Sequence, residues 1–222
     1  MVFVKYINTG KGVNRMKKEF LLAIGCLLLP GCVVKDYSPV SSEQKQQPVK
    51  VAFTIKDYYP LANKIYSFRG EGNEFAAYKE TFFSQNGSYL PSIVENGGTR
   101  LFKVYELTSD GIYVVYEQAE YYKEAPASID SVKSQFIRKP LLTIPLEIGR
   151  SFDGWEIKEV DKKITLPSGE MTNVIVTEQR DKENHTVITN YWAPGYGKIL
   201  QVFLSTDGKE ENQVVSELEK IE

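Results

Sequence analysis

A single histidine, two cysteines and 29 acidic side chains bound the chemistry open to this 222-residue chain. His185 is alone, so a two-histidine zinc site of the His-Glu-x-x-His kind cannot be built. It sits just past the charged turn Asp181-Lys182-Glu183-Asn184 and reads as a solvated side chain. No Gly-x-Ser-x-Gly accompanies it to make a Ser-His-Asp nucleophile. Acidic pairs recur at Glu117 and Glu120, Glu156 and Glu159, Asp181 and Glu183, and Glu210 and Glu211. A glycosidase needs two carboxyl groups facing each other at a defined gap. In so acidic a chain, solvated strand faces account for such pairs, and a carboxylate-based hydrolase is disfavoured. No Asp-x-Asp-x-Asp-Gly loop stands near Asp207-Gly208 to hold calcium, and no helix pattern follows Gly195-Tyr196-Gly197 to hold phosphate. No catalytic residue, metal site or cofactor is expected.

The aromatics offer a different chemistry, that of binding. There are 14 tyrosines, 11 phenylalanines and two tryptophans, many for one β-rich domain. Most are needed to fill a β core and rim the strands. Tyr58, Tyr59, Trp155, Trp192 and Tyr196 are the candidates for a concave aromatic face that contacts a sugar polymer, a peptide or a lipid.

The cysteines point to an address. Lys17 and Lys18 precede an apolar run of ten residues from Phe20 to Leu29, which leads into Leu29-Pro30-Gly31-Cys32. This is the order of a secretory signal: charged region, short apolar region, small residue before the cut. A bilayer-spanning helix needs about 20 apolar residues, so the run is too short to remain as an anchor. The last four residues resemble the lipobox of bacterial lipoproteins, with proline at an unusual place. The resemblance implies a signal peptide over 16–31 and makes Cys32 the lipid-bearing first residue of the mature protein. Cys26 leaves with the signal, so no cysteine remains for a disulfide. Residues 1–15 precede a signal that has its own Met16, and translation is expected to start there; Lys11-Gly12-Val13-Asn14 could be encoded by a purine-rich ribosome-binding string.

Residues 1–31 hold five basic and one acidic side chain, which leaves the mature chain with 22 basic and 28 acidic ones, a formal net charge of −6. That excludes the basic face a nucleic-acid binder needs. It also leaves adhesion to an anionic bilayer to the lipid chains. The expected location is the extracytoplasmic face of the cell membrane, or of the outer membrane in a host that has one.

Residues 32–50 are rich in Ser, Gln and Pro and read as a disordered tether. The eighteen residues after Cys32 span roughly 25 Å on average. Residues 51–222 form the expected domain. Thr99–Leu107 and Gly111–Glu117, around Ser109-Asp110-Gly111, read as a hairpin. Further strands are expected over Glu74–Phe83, Trp155–Ile157, Lys162–Leu166, Met171–Glu178, His185–Trp192 and Lys198–Leu204, with a last turn at Thr206-Asp207-Gly208. Residues 125–149, with Pro126, Pro140 and Pro145, read as a long crossing loop holding a turn or two of helix over 131–137. Gln213–Ile221 fits either a closing strand or a short amphipathic helix. The pattern predicts an all-β fold: a curled antiparallel sheet, half-barrel or sandwich, with at most one or two short helices. Tyr59-Pro60-Leu61 and Ile144-Pro145-Leu146, each followed by aromatics, suggest two distant half-repeats near 57–124 and 141–205.

These motifs carry a family resemblance. Tyr59-Pro60-Leu61 followed by Gly70-Glu71-Gly72-Asn73-Glu74, then Pro145-Leu146-Glu147-Ile148-Gly149, Leu166-Pro167-Ser168-Gly169 and Tyr191-Trp192-Ala193-Pro194-Gly195-Tyr196-Gly197, is similar to a group of bacterial lipoproteins and secreted domains common in clostridia and their relatives. The first half departs from the pattern with a shorter turn and Ile65 where the group tends to have Trp. The resemblance spans about residues 57–205. It implies a fold and a lipid-anchored location, and no activity.

Two functions follow as expectations. One is a non-enzymatic module of the cell envelope that binds a protein, glycan or lipid. The alternative is a carrier or chaperone that holds a hydrophobic ligand in a curled β-sheet. An exposed aromatic groove favours the first, a continuous apolar cavity the second, and two close carboxyl groups in a cleft the disfavoured hydrolase.

Overall fold

The structure is a computed structural model, and it describes residues 52–206 and 211–222. The signal, Cys32 and the tether lie outside these, as does the Asp207-Gly208 part of the last expected turn. In chain order the strands are β1 Lys64–Glu71, β2 Tyr78–Phe82, β3 Tyr89–Glu95, β4 Arg100–Thr108, β5 Gly111–Ala119 and β6 Lys139–Thr143, then β7 Ser151–Phe152, β8 Trp155–Leu166, β9 Gly169–Asp181, β10 Thr186–Ala193, β11 Gly197–Thr206 and β12 Glu211–Ile221.

All twelve join one antiparallel sheet in the order β6-β5-β4-β3-β2-β1-β12-β11-β10-β9-β8-β7. Each half of the chain is a six-stranded meander, as short turns favour. The halves meet where the first strand pairs with the last, from Tyr66↔Ile221 to Glu71↔Val215. The outermost strands, β6 and β7, are consecutive in the chain. The sheet curls until the halves face each other across a shared interior, giving a nearly closed, barrel-like sheet.

Two apolar clusters follow from this curl. The larger fills the concave side with Tyr66, Phe68 and Phe82 from the first half and Trp155, Ile157, Trp192 and Leu218 from the second. The smaller lies on the convex side of β3–β5, where Phe102, Val104, Tyr113 and Val115 are covered by Tyr121 and by a one-turn helix, Ile129–Val132. This cover buries both faces of β5, whose first five residues are all buried. By contrast β8 alternates half-buried with exposed positions over much of its length, as a strand with one wet face should.

The structure sharpens four of the expectations. Residues 125–149 are more than a crossing loop, because Lys139–Thr143 forms the edge strand β6. Pro140 has no N–H to give, and an edge strand has one side where none is needed. The strand expected over Glu74–Phe83 starts only at Tyr78; residues 72–76 fold back over β1. Gly70 permits this, since a Cβ there would stand 2.1 Å from the Ala77 nitrogen. Trp155–Ile157 and Lys162–Leu166 are one strand, continuous through three register shifts. The last segment is a strand, because β1 needs a partner in the middle of the sheet.

Candidate binding cavity

The chain enters the domain through a 3₁₀ turn, Ile55–Tyr58, and Tyr59-Pro60-Leu61. This segment is fastened to both halves. The Asp57 carbonyl accepts the Gly195 N–H at 2.6 Å, and Leu61 N–H donates to the Tyr66 hydroxyl at 3.0 Å. Gly197 lies against Pro60: its φ is +79°, and a Cβ there would come within 3.0 Å of the Pro60 nitrogen. The two motifs most marked in the sequence, Tyr-Pro-Leu and Ala-Pro-Gly-Tyr-Gly, therefore dock on one another. Gly197→Ala is expected to cost about 1–3 kcal/mol in urea unfolding, from left-handed strain plus the clash. Gly195→Ala, with the same φ of +79° and nothing within 4 Å, should cost distinctly less.

Pro60 and Tyr196 help line a cavity of about 180 Å³ inside the curl. Its walls are mainly aromatic. Tyr66 and Phe82 meet edge to face with ring centroids 5.0 Å apart, and Tyr105 packs 5.7 Å from Phe82. Trp155 opens β8 on the opposite side. Trp192 is fixed by its indole N–H, which donates to Thr177 Oγ1 at 3.2 Å. Trp155, Trp192 and Tyr196 thus come together on one cavity.

Tyr58 and Tyr59 are not brought to it. Tyr58 is 3% exposed and its hydroxyl donates to the Asn173 carbonyl at 2.8 Å. Burial and the charge of Asp161 push its pKa up to about 12. Tyr59 donates to the Thr108 carbonyl at the β4–β5 turn. Both phenols are struts that brace the entry segment against the sheet.

Among the aromatics stand polar groups: Glu117, which the sequence marks only as one of its acidic pairs, and Glu80, Lys103, Lys139, Asn190, Lys198 and Gln201, which it does not single out. Glu80 is 4% exposed, and its Oε1 accepts hydrogen bonds from Ser92 at 2.7 Å and Tyr105 at 2.8 Å. Burial, with the Glu80 charge nearby, holds the Tyr105 hydroxyl well above its ordinary pKa, so it remains a donor. Glu117 lies between two lysines, 3.8 Å from Lys103 and 3.5 Å from the more exposed Lys139. Gln201 donates to Asn190 at 2.9 Å.

Lys198 differs from its neighbours: it makes no hydrogen bond or ion pair among the described residues. It is desolvated by the surrounding protein and repelled by Lys103, with Glu80 only partly offsetting these. Its pKa falls to about 8.

Two β-bulges put charge inside. The β10–β11 register slips between Tyr191 and Trp192, with Ile199 as the extra residue, so Lys198 and Gln201 both line the cavity although three apart. In the same way Val115 is the extra residue opposite Val104/Tyr105, and Val114 and Glu117 both line it. Strict alternation would send one of each pair outward. Among the described residues no three His, Cys, Asp or Glu side chains gather that could hold a metal ion.

No family model matches the chain, and no curated protein matches it either. Two solved structures are similar. One is a protein of Bacteroides fragilis described as exported and as having a YmcC-like fold, at 12% identity and a TM-score of 0.41, covering 74% of this chain and 98% of that one. The other is a protein of Parabacteroides distasonis described as a lipoprotein, at 11% identity and a TM-score of 0.41, covering 77% of this chain and all of that one.

Proposed function

We propose that this chain is a lipid-anchored, extracytoplasmic binding module that takes a small ligand into the interior of its curled sheet. Cys32 carries the anchor, residues 33–50 are the tether, and the β domain does the binding. The observation that carries the reading is the cavity: tryptophans and tyrosines from both halves of the sheet converge on it, and polar groups project among them. Largely apolar walls with a few placed polar groups are the usual make-up of a ligand site.

The volume bears on the choice between module and carrier. About 180 Å³ is well below the ~300 Å³ at which drug-sized sites begin. Three lysines and two glutamates on the walls are also foreign to a long acyl chain. A small, partly polar solute fits better than a lipid tail. A hydrolase would need its carboxyl groups at liberty, whereas Glu80 is held by two hydroxyls and Glu117 by two lysines. Binding without chemistry is the reading these contacts support.

The chain has two tryptophans and both line the cavity, so intrinsic fluorescence reports on the site directly. Titration of the mature protein with a low-molecular-mass extract of its host's envelope should give a saturable change in tryptophan emission. Emission that stays unchanged through the titration would count against the cavity as the binding site.

A further inference from the structure

We infer that the cavity selects a small organic anion, with Lys198 receiving the acidic group and the aromatic walls seating the apolar body. The inference rests on the binding-module reading above and names the ligand's charge class. Its basis is the imbalance of partners inside the cavity. Glu80 is satisfied by the hydroxyls of Ser92 and Tyr105, and Glu117 already faces both Lys103 and Lys139. That leaves the Lys198 ammonium with three donors and no acceptor among the described residues.

Lys198 is half-buried, and a cation without a protein acceptor beside a second cation is held at a cost where water is scarce. The fold nevertheless brings Lys198 to the cavity wall beside a bulge, with Ile199 as the extra residue. A carboxylate, phosphate or sulfate group would supply the missing acceptor and offset the repulsion from Lys103. Trp192, its cross-strand neighbour, and Trp155 and Tyr66 present ring surface in the same cavity to the rest of the ligand. Lys198 remains mostly protonated at neutral pH, since even its lowered pKa is about 8.

Three probes of matched size separate the outcomes: benzoate, neutral benzyl alcohol and cationic benzamidine. Each is titrated against the mature protein with tryptophan emission as the readout. Benzoate should bind about tenfold or more tightly than the other two, the factor expected of a hydrogen bond to a charged group. Lys198→Met should weaken benzoate by about the same factor and leave benzyl alcohol unchanged, and Lys198→Arg should keep part of the preference. Thermal unfolding of both variants confirms that they are folded before they are compared. Equal affinity for the three probes, or a preference for benzamidine, would overturn the anion assignment while leaving the cavity a binding site. Binding of none of the three would overturn the cavity reading itself, and the anion assignment with it.

Discussion

Lys198→Met is expected to make the unliganded protein more stable, although it removes the residue proposed to bind ligand. Desolvation and repulsion from Lys103 lower the Lys198 pKa from 10.5 to about 8, so holding the proton there costs the native state stability at neutral pH. Methionine has nearly the same length, no charge to desolvate and no repulsion from Lys103. The pH dependence follows from the direction of the shift. Below pH 8 both native and unfolded chains carry the proton and the native state bears the full cost. Between about 8 and 10.5 only the unfolded chain still binds it, so the stability of the wild type rises with pH through that window. The methionine variant should lack this rise. Buried tyrosines such as Tyr58, with raised pKa values, act in the opposite direction above pH 10 in both proteins and cancel in the comparison. Urea unfolding at pH 7 and at pH 9.5 measures both effects. A variant less stable than wild type at pH 7 would mean that Lys198 has a native partner and that the account of the cavity is wrong. Stability given up at a binding residue is a common trade-off.

Cys32→Ser is expected to abolish incorporation of a fatty-acid label, while Cys26→Ser should leave it intact. Both residues lie outside the described part of the chain, so the prediction rests on the sequence. Each buried methylene contributes roughly 0.8 kcal/mol to membrane binding, and a single chain is only a marginal anchor. A diacylated cysteine supplies enough buried chain to hold the protein at the membrane, and a serine supplies none. Metabolic labelling with an alkyne fatty acid, followed by intact-mass analysis, distinguishes the two cysteines. Label that persists in Cys32→Ser would place the modification elsewhere and remove the basis for the anchor.

The strand-rich character of the domain was legible because turn residues punctuate it. Ser109-Asp110-Gly111 marks the β4–β5 hairpin and Pro167-Ser168-Gly169 marks β8–β9. Strands that break the rules were harder to read. β6 carries Pro140 and β3 carries Pro91, and a proline ordinarily argues against a strand. The pairing of β1 with β12 links residues about 150 apart, and no local signal announces it. The binding site divides in the same way. Trp155, Trp192 and Tyr196 stood out as aromatics near turns, and the structure places them on one cavity. Tyr58 and Tyr59 look alike in sequence, yet their hydroxyls are spent on backbone carbonyls. Lys198 escaped notice and Glu117 was read as part of a solvated strand face, because a bulge changes the face a side chain meets and alternation assumes that none occurs. A lysine directly after Gly195-Tyr196-Gly197 and before Ile199-Leu200, in an otherwise apolar strand start, was the signal available.

Native mass spectrometry of the mature protein purified from its own cells, beside a denatured control, tests the central claim most directly. The account predicts an adduct with the mass of a small organic acid, present under native conditions and absent after denaturation. It also predicts that Lys198→Met carries markedly less of it. An apo mass at every collision energy, or an adduct with the mass of a long-chain lipid, would contradict the claim that the curled sheet encloses a site for a small anion.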